Sequence, residues 1–522
     1  MTSKKSMFVT DDGKNVVVTF VLVSSLFLLW GFCNGMIDVM DKHFQNELHL
    51  SLAQSAWVQF AHYLGYFLMA MPAGWLAIRL GYKGGIIAGL CLVACGGFWF
   101  VPATHIAAFW AFLLGVCLIA SGLTFLETVA NPYTTVLGPK EFAATRINLA
   151  QSCNGIGWML GPIAGAMFFY SKDAAGKSTG SQTLWIPYAA VAVVVIVLAV
   201  VFYFAPVPDI KTADEYQIDE KEGGSAVAET VERQLNRGLI YFLLVFNAAV
   251  LVGVFAMILW VIMGTLGASD EMVSRTLWTA GGAGFVTAAV ALIPVARGIS
   301  HHSIWSHPHF SSATLAQFFY VAAQAGIFSF LINYMTSETP ALPDWLTSGS
   351  LGSWFEQKDG VFHFSDKGAS GLASFGFFCF LVGRFSGAAI LKKCRAHLAL
   401  GVYGIVNTVL CLVIFLKLGW VSVVCVFLSY FFMSIMFPTI FALGIHGLGA
   451  RAKRASGFLV MAIMGGAMLP KLMGHIADKS NMSRGFIVPL FCFALIAAYA
   501  LAWPRLSHIA TDENKPVHPV LH

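Results

Sequence analysis

Charged residues are scarce in this chain of 522 residues, since Asp, Glu, Lys and Arg together make up only 11% of it. A soluble domain carries about 25% charged residues because its surface faces water. Apolar and aromatic residues make up 58% of the chain, and its mean hydropathy is +0.75. The scarcity of charge excludes a soluble globular protein and indicates that lipid surrounds most of the chain.

Several motifs that carry known chemistry are also absent. The chain has no G-x-x-x-x-G-K-[ST] loop, which argues against an ATP-driven pump, and no H-E-x-x-H or G-x-S-x-G motif, so a membrane hydrolase has no support. The ten cysteines form no C-x-x-C pair, which favours packing residues over a zinc or redox site. The net charge of +5 comes from short loops rather than one basic stripe. We therefore expect no enzyme activity, no cofactor and no nucleic-acid partner.

Apolar stretches long enough to cross a membrane, about 20 residues each, occur in two sets of six. They lie near 18–40, 52–78, 84–103, 106–137, 147–171 and 184–206, and near 313–335, 369–391, 397–417, 419–446, 455–476 and 485–505. We predict an all-α membrane protein with 12–14 transmembrane helices. Its parts are an N-terminal six-helix bundle (1–206), a cytoplasmic linker with an inserted helix pair (207–312, helices at 238–264 and 277–295), a C-terminal six-helix bundle (313–510) and a cytoplasmic tail (511–522).

Basic residues are concentrated in the loops that follow the even-numbered spans. They are Arg79 and Lys83, Lys140 and Arg146, Lys392, Lys393 and Arg395, and Arg451, Lys453 and Arg454. Because cytoplasmic loops of membrane proteins carry an excess of Lys and Arg, both termini are predicted to be cytoplasmic. The insert is predicted to form two spans, with one interfacial hairpin as the alternative. Two spans preserve this orientation, since an even number of helices leaves the second half unflipped. The loop 336–368 is expected on the external side.

Glu127 is the strongest candidate for chemistry inside the membrane. About twenty mainly apolar residues precede it, and an ionisable group at mid-membrane costs roughly 2.5–3.5 kcal/mol to insert. Asn131 lies one turn later on the same helix face, and Pro132 removes a backbone donor. Because an apolar environment disfavours the charged form of a carboxyl group, Glu127 is predicted to take up and release a proton near neutral pH. The alternative is a neutral carboxylic acid hydrogen-bonded between helices.

Three other ionisable residues in the spans each allow two interpretations. Asp38 lies one turn after Asn34, so it either shares a face directed at a polar cavity or contacts water at the helix end. Lys471 follows Pro470 and either meets a carboxylate or substrate, or extends to the membrane surface. His62 either faces the cavity or hydrogen-bonds a neighbour.

Uncharged polar residues recur at intervals of three or four in several spans, which places each set on one helix face. They are Gln59, Tyr63 and Tyr66, then Asn148, Gln151 and Asn154, then Gln317, Tyr320 and Gln324. Amides and hydroxyls offer both donors and acceptors, so this lining suits a neutral polyhydroxy ligand better than a charged one. The aromatic rings of Trp30, Trp57, Trp158 and Phe437 are expected to stack on such a ligand. For each amide the alternative is a contact between helices.

Several segments resemble the L-fucose/proton symporter branch of the major facilitator superfamily. They are residues 126–132 (LETVANP), 136–139 (VLGP), 146–151 (RINLAQ), 29–34 (LWGFCN), 65–67 (GYF), 72–74 (PAG), 315–318 (LAQF) and 433–441 (MSIMFPTIF). The resemblance covers both halves and implies the major facilitator fold. It also implies that Asp38 and Glu127 correspond to the acidic residues tied to proton coupling and sugar binding. Members carry fucose, glucose, galactose or N-acetylglucosamine, and some animal relatives use sodium.

The chain departs from the pattern of this branch at several positions. Gly35 and Ile37 stand where the fucose carrier has asparagines, and His62 replaces an aromatic residue. Ile78 stands where the wider superfamily usually has Asp, and the insert 238–296 adds helices that the fucose carrier lacks. Gly35 and Ile37 argue against fucose itself as the transported sugar.

We therefore predict a transporter that imports a neutral monosaccharide with protons by alternating access. It is expected to be a monomer surrounded by lipid, with many spans in the cell membrane, which is the inner membrane if the source is bacterial. The predicted proton-coupling residues are Asp38 and Glu127; the predicted sugar contacts are Asn34, Gln59, Tyr63, Asn131, Gln151, Asn154, Gln317, Gln324 and Phe437; His62 and Lys471 are further candidates. The coupling ion is H⁺, with Na⁺ as the alternative. A membrane sugar sensor that does not transport is the second alternative.

Overall fold

The computed structural model describes the chain in segments that are almost entirely helical. These are residues 8–9, 15–55, 57–138, 143–169, 183–207, 236–265, 269–300, 303–342, 352–358, 361–391, 394–446, 448 and 452–507. Within them, eleven helices are long and apolar enough to cross a membrane, and the number becomes twelve if one bent pair counts as a single span. The prediction of an all-α membrane protein is confirmed.

Six helices form the N-terminal half. They are α1 (Val17–Leu48), the short α2 (Leu52–Ser55), α3 (Trp57–Ile106), α4 (Phe109–Val136), α5 (Ala143–Phe168) and α6 (Trp185–Phe204). We call the end of the bundle where α1 begins the proximal end, and the end where α1 stops the distal end. Because successive spans alternate in direction, each later helix end can be assigned to the proximal or the distal end.

Gly81 divides α3 into the second and third spans. Its φ of 70° lies in the left-handed region, where a glycine has no Cβ to clash. Gly65 before the break packs against Cys117 and Ser121 of α4, and Gly96 after the break packs against Ile119 of the same turn. A straight helix would separate residues 65 and 96 by about 46 Å at 1.5 Å per residue. The chain therefore reverses direction at Gly81.

The close contact between α1 and α5 depends on small residues. A β-carbon added at Gly31 of α1 would overlap the carbonyl of Asn154, and one added at Gly157 of α5 would overlap the carbonyl of Leu28. Small residues let helix backbones approach closely in membranes, where packing rather than the hydrophobic effect drives helix association.

Two inserted helices follow, α7 (Arg237–Thr265) and α8 (Asp270–Gly298), as the sequence predicts. The Tyr241 hydroxyl donates to the Ala289 carbonyl at 3.1 Å and joins the pair. In α7, the Asn247 amide donates to the Ser311 carbonyl of the next span at 3.1 Å. Most described residues of α8 are exposed, so α7 is the inner helix of the pair and α8 faces lipid.

The C-terminal half contains more broken helices. Its elements are α9 (Pro308–Ser329), α10 (Leu331–Ser337), β1 (Phe355–Lys358), β2 (Val361–Phe364), α11 (Asp366–Leu391), α12 (Ala396–Phe415), α13 (Trp420–Met433), α14 (Met436–Ile445), α15 (Ala452–Met461), α16 (Gly465–Lys479), α17 (Met482–Gly485) and α18 (Ile487–Ser507). The first span of this half begins at Pro308, before the predicted boundary at 313. The antiparallel hairpin of β1 and β2 was not expected within the 336–368 loop.

Two seams join the halves. At the first, α5 packs against α11, where the Ser370 hydroxyl donates to the Pro162 carbonyl at 2.7 Å and the Ser374 hydroxyl donates to the Met159 carbonyl at 2.8 Å. At the second, which we call the α3–α16 seam, α3 and α2 pack against α16. A central site between the halves is bounded by these seams.

Candidate functional site

A hydrogen-bonded cluster lies at mid-depth in the N-terminal half. The indole nitrogen of Trp30 donates to the Tyr66 hydroxyl at 2.7 Å, and the side chain of Asn34 is another hydrogen-bond partner of this hydroxyl. Glu127 interacts electrostatically with Tyr66. Tyr66 and Asn34 are buried, and the Asn34 Oδ1 atom has no hydrogen-bond partner. The first, second and fourth spans thus place an acidic group, an amide and two aromatic rings together.

Glu127 faces the interior of the bundle. Along α4, none of the described residues between 115 and 134 is exposed, because α1, α3 and α5 surround the helix. Phe125, Leu126 and Val129 are at most 5% exposed, whereas Glu127 and Thr128 are partly exposed. Since no lipid-facing side remains on this part of α4, the accessible surface of Glu127 belongs to an interior hollow.

His62 and Tyr63 extend the cluster along α3. The His62 ring lies 4.9 Å from the Tyr63 ring and 5.1 Å from the Tyr66 ring, measured between centroids. His62 is buried, and its Nδ1 atom has no hydrogen-bond partner. Tyr63 is partly exposed and lies against Gly466 of α16, so its ring bridges the two halves.

On the opposite side, Arg384 of α11 reaches across the other seam. Its guanidinium donates to the Gln151 Oε1 atom of α5 at 3.4 Å and lies 4.8 Å from the centroid of the Phe380 ring. Arg384 also interacts electrostatically with Tyr320 of α9. Both Arg384 and Gln151 are partly exposed. A cation is therefore present in the interior, where the amide spacing alone suggests a neutral lining.

A helix break forms the wall next to Arg384. The fourth span of the C-terminal half is interrupted between α13 and α14. Pro438 has no N–H to donate to the carbonyl of Ser434. The Tyr320 hydroxyl donates to the Met433 carbonyl at 3.0 Å beside the break, and the Phe437 ring lies 6.3 Å from Tyr320. Broken spans near the membrane midplane commonly mark the substrate site of secondary transporters.

The remaining predicted contacts are distributed differently. The Asn154 amide donates to the Phe27 carbonyl at 3.3 Å, so this residue takes part in the contact between α1 and α5. Gln317 is fully buried, and neither atom of its amide has a hydrogen-bond partner. Gln59 is buried in α3, and Gln324 is partly exposed on α9, a span without exposed residues between 308 and 335.

Two predicted residues have side chains outside the described part of the structure. Asp38 lies in α1, about 15 Å before the distal end of that helix at 1.5 Å per residue. Asn131 lies in α4, one turn after Glu127. Their helical positions are described, and their roles stay predictions.

Lys471 of α16 lies between two indole rings. Its Nζ atom is 3.3 Å from the centroid of the Trp57 ring and 3.2 Å from that of the Trp260 ring. No ion pair joins Lys471 to a described carboxylate. Of the interpretations that the sequence leaves open, this arrangement favours neither a carboxylate pair nor extension to the membrane surface.

Polar contacts between the halves are concentrated near the distal end. The Asn333 amide of α10 donates to Gln45 of α1. Lys42 lies 3.9 Å from the Asp366 carboxylate of α11, and the Asn46 amide donates to the same carboxylate. These contacts hold the distal ends of the two halves together.

Residues 19–342 match the Major Facilitator Superfamily. The chain belongs to this superfamily. It is 27% identical over 493 residues to a glucose/galactose transporter of Brucella abortus, which covers 94% of this chain and 95% of the relative. It is 30% identical over 501 residues to the L-fucose-proton symporter of Haemophilus influenzae, covering 94% and 98%.

The fold comparison agrees with this membership. A crystal structure of the major facilitator transporter FucP in the outward conformation is 28% identical and superposes with a TM-score of 0.57, covering 93% of this chain and 99% of FucP. The predicted resemblance to the fucose symporter branch and the major facilitator fold are therefore confirmed. Since this superfamily consists of transporters, the chain is a transporter in the membrane and not an enzyme.

Arg384 is an interior residue of this major facilitator protein that its sequence does not single out. Lys392 and Lys393 follow it closely, which groups it with the basic residues of a loop. The α11 helix continues to Leu391, however, so Arg384 lies seven residues, or about 10 Å, inside the span. The available signal is an arginine followed by further apolar residues, because intramembrane cations face the interior or a cavity.

Proposed function

We propose that this protein imports a neutral monosaccharide together with protons by alternating access. The observation that carries the proposal is the interior position of Glu127, which interacts electrostatically with Tyr66, the hydrogen-bond partner of Trp30 and Asn34. A carboxyl group in a poorly solvated interior has a penalised charged form, so it can hold a proton during one part of a cycle. The adjacent aromatic and amide groups have the chemistry that binds hydroxyl groups and apolar sugar faces. The relatives named above support this substrate class.

The transport cycle that we propose uses the two seams. The halves rock about the central site, and each end of the bundle opens in turn. If both termini lie in the cytoplasm, the distal end faces the outside of the cell. The contacts of Lys42 and Asn46 with Asp366, and of Gln45 with Asn333, then close the outward end. The matched FucP structure is in the outward conformation. Sugar and proton are then released together toward the cytoplasm, because Glu127 and the sugar groups share one hollow.

A panel of sugars tests the proposal in proteoliposomes that contain the full chain. In lightly buffered medium, addition of the correct sugar is expected to raise the external pH as protons enter with it, and omission of sodium is expected to change nothing. Uptake that needs sodium and leaves the pH constant would replace H⁺ by Na⁺ as the coupling ion. Sugar binding without counterflow across the vesicle membrane would identify a sensor instead.

A further inference from the structure

The inserted helix α7 packs against both halves of the transporter. A buried cluster contains Phe60 of α3, Val254 and Met257 of α7, Ala467 of α16, and Met464, which directly precedes α16. This contact lies on the α3–α16 seam. The insert is therefore in contact with two surfaces that move relative to each other if the halves rock.

One side chain from each of these three parts meets near the distal end of the seam. Trp57 comes from the N-terminal half, Trp260 from the insert and Lys471 from the C-terminal half. The two indole rings lie 5.3 Å apart, and the Lys471 ammonium contacts both, at 3.3 and 3.2 Å from their centroids. Lys471 lies eight residues, about 12 Å, before the distal end of α16 at Lys479.

The arrangement explains how a cation is tolerated at this depth. A lysine within a span is unfavourable unless it reaches water or finds a partner. Indole faces attract an ammonium ion, and the attraction increases when both groups are shielded from water. Because the partners belong to different parts, the interaction lasts only while those parts stay together.

We propose that Lys471 and Trp260 are gating residues, which hold the distal end of the α3–α16 seam closed by clamping Trp57 to the insert and to α16. The proposal rests on the alternating access proposed above, but not on the identity of the sugar or the ion. Opening of the distal end separates Trp57 from Lys471, so the contact between the ammonium ion and the Trp57 ring is lost. In this role Lys471 acts by positioning the halves relative to each other.

A cysteine at position 370 reports on distal opening. Ser370 is fully buried on the other seam, between α5 and α11, so the reporter responds to separation of the halves and not to a local change at Lys471. The exposed native cysteines Cys91, Cys95 and Cys394 are replaced by serine, and the same chain without Ser370→Cys gives the background. The rate of maleimide labelling is measured on purified full-length protein in detergent.

The test compares variants that differ in the clamp alone. Lys471→Met keeps an unbranched side chain but removes the charge, and labelling is expected to become about five- to twentyfold faster. Lys471→Arg keeps a cation over the rings and is expected to label at nearly the unmodified rate. Trp260→Leu is expected to resemble Lys471→Met, and combining the two changes is expected to add little, since both remove the same contact.

Trp278 provides the matched control. It is an indole on the insert that is 81% exposed, and it has no ring contact with a described residue. Trp278→Leu is expected to leave labelling unchanged. Equal labelling in Lys471→Met, Lys471→Arg and the unmodified protein, or an equal effect of Trp278→Leu and Trp260→Leu, would overturn the proposal. Labelling needs neither sugar nor ion, so failure of the sugar panel leaves this test intact.

Discussion

The Trp30 indole nitrogen lies 2.7 Å from the Tyr66 hydroxyl and donates a hydrogen bond to it. This bond joins the first span to the second. Asn34 hydrogen-bonds the same tyrosine, and Glu127 interacts with it electrostatically. A change at Tyr66 therefore acts on the proposed sugar lining and on the proposed proton carrier together.

Replacement of Tyr66 by phenylalanine is expected to weaken sugar binding about fivefold. The variant removes the acceptor of the Trp30 N–H, and loss of such a hydrogen bond costs about 1 kcal/mol. The concentration dependence of sugar counterflow in proteoliposomes measures the effect. Tyr203→Phe is the control, because Tyr203 is 66% exposed at the proximal end of α6. If both variants reach half-maximal counterflow at the same sugar concentration, the Tyr66 hydroxyl has no role in the site.

Replacement of Glu127 by glutamine is expected to separate exchange from accumulation. The amide has nearly the same size but cannot carry a proton, so counterflow should persist while uptake driven by a pH gradient is lost. Both are measured on the same vesicles. Glu271→Gln on the exposed face of α8 is the control and should keep both activities. If the Glu127 variant still concentrates sugar, another group carries the proton.

Arg384→Gln is expected to slow counterflow about tenfold. It removes a charged donor that bonds Gln151 across the seam, and hydrogen bonds to charged groups contribute about 1.5–3 kcal/mol. Arg384→Lys keeps the charge without the planar group, so its counterflow rate should lie between those of Arg384→Gln and the unmodified protein. Arg275→Gln, on the exposed side of α8, controls for loss of a cation. Full counterflow in Arg384→Gln, with unchanged thermal stability in detergent, would remove Arg384 from the site.

Asp366→Ala is expected to favour the open distal end more than Lys42→Ala does. The aspartate meets both Lys42 and Asn46, whereas the lysine contributes only a partly exposed ion pair at 3.9 Å. Such pairs contribute about 0.2–1 kcal/mol, so Lys42→Ala should raise the labelling rate of the Ser370→Cys reporter about two- to threefold. About 1 M salt should speed labelling in the unmodified protein and not in Asp366→Ala, because it screens the pair. The opposite ranking of the two variants would indicate that the distal ion pair does not hold the gate.

Composition and hydropathy were sufficient to predict the class of the protein and a candidate proton carrier. Membrane solvation demands long apolar helices, and their spacing is visible in composition alone, which is why the two six-span sets and the inserted pair could be predicted. Glu127 could be identified because a carboxyl group in such a run is unfavourable without a function. The spans predicted at 52–78 and 84–103 place the reversal at Gly81 correctly. The hairpin 355–364 was not predicted, since short strands in a loop leave little trace in hydropathy.

The contacts between polar groups of different helices could not be predicted from the sequence. Helical spacing places Gln151 and Asn154 on one face, yet Gln151 meets Arg384 and Asn154 bonds the α1 backbone, because the approach of neighbouring helices differs within a single turn. The environment of Lys471 depends on residues more than 200 positions away in the chain, Trp57 and Trp260. Local periodicity specifies the face of one helix, but contacts between distant segments depend on how all the helices pack.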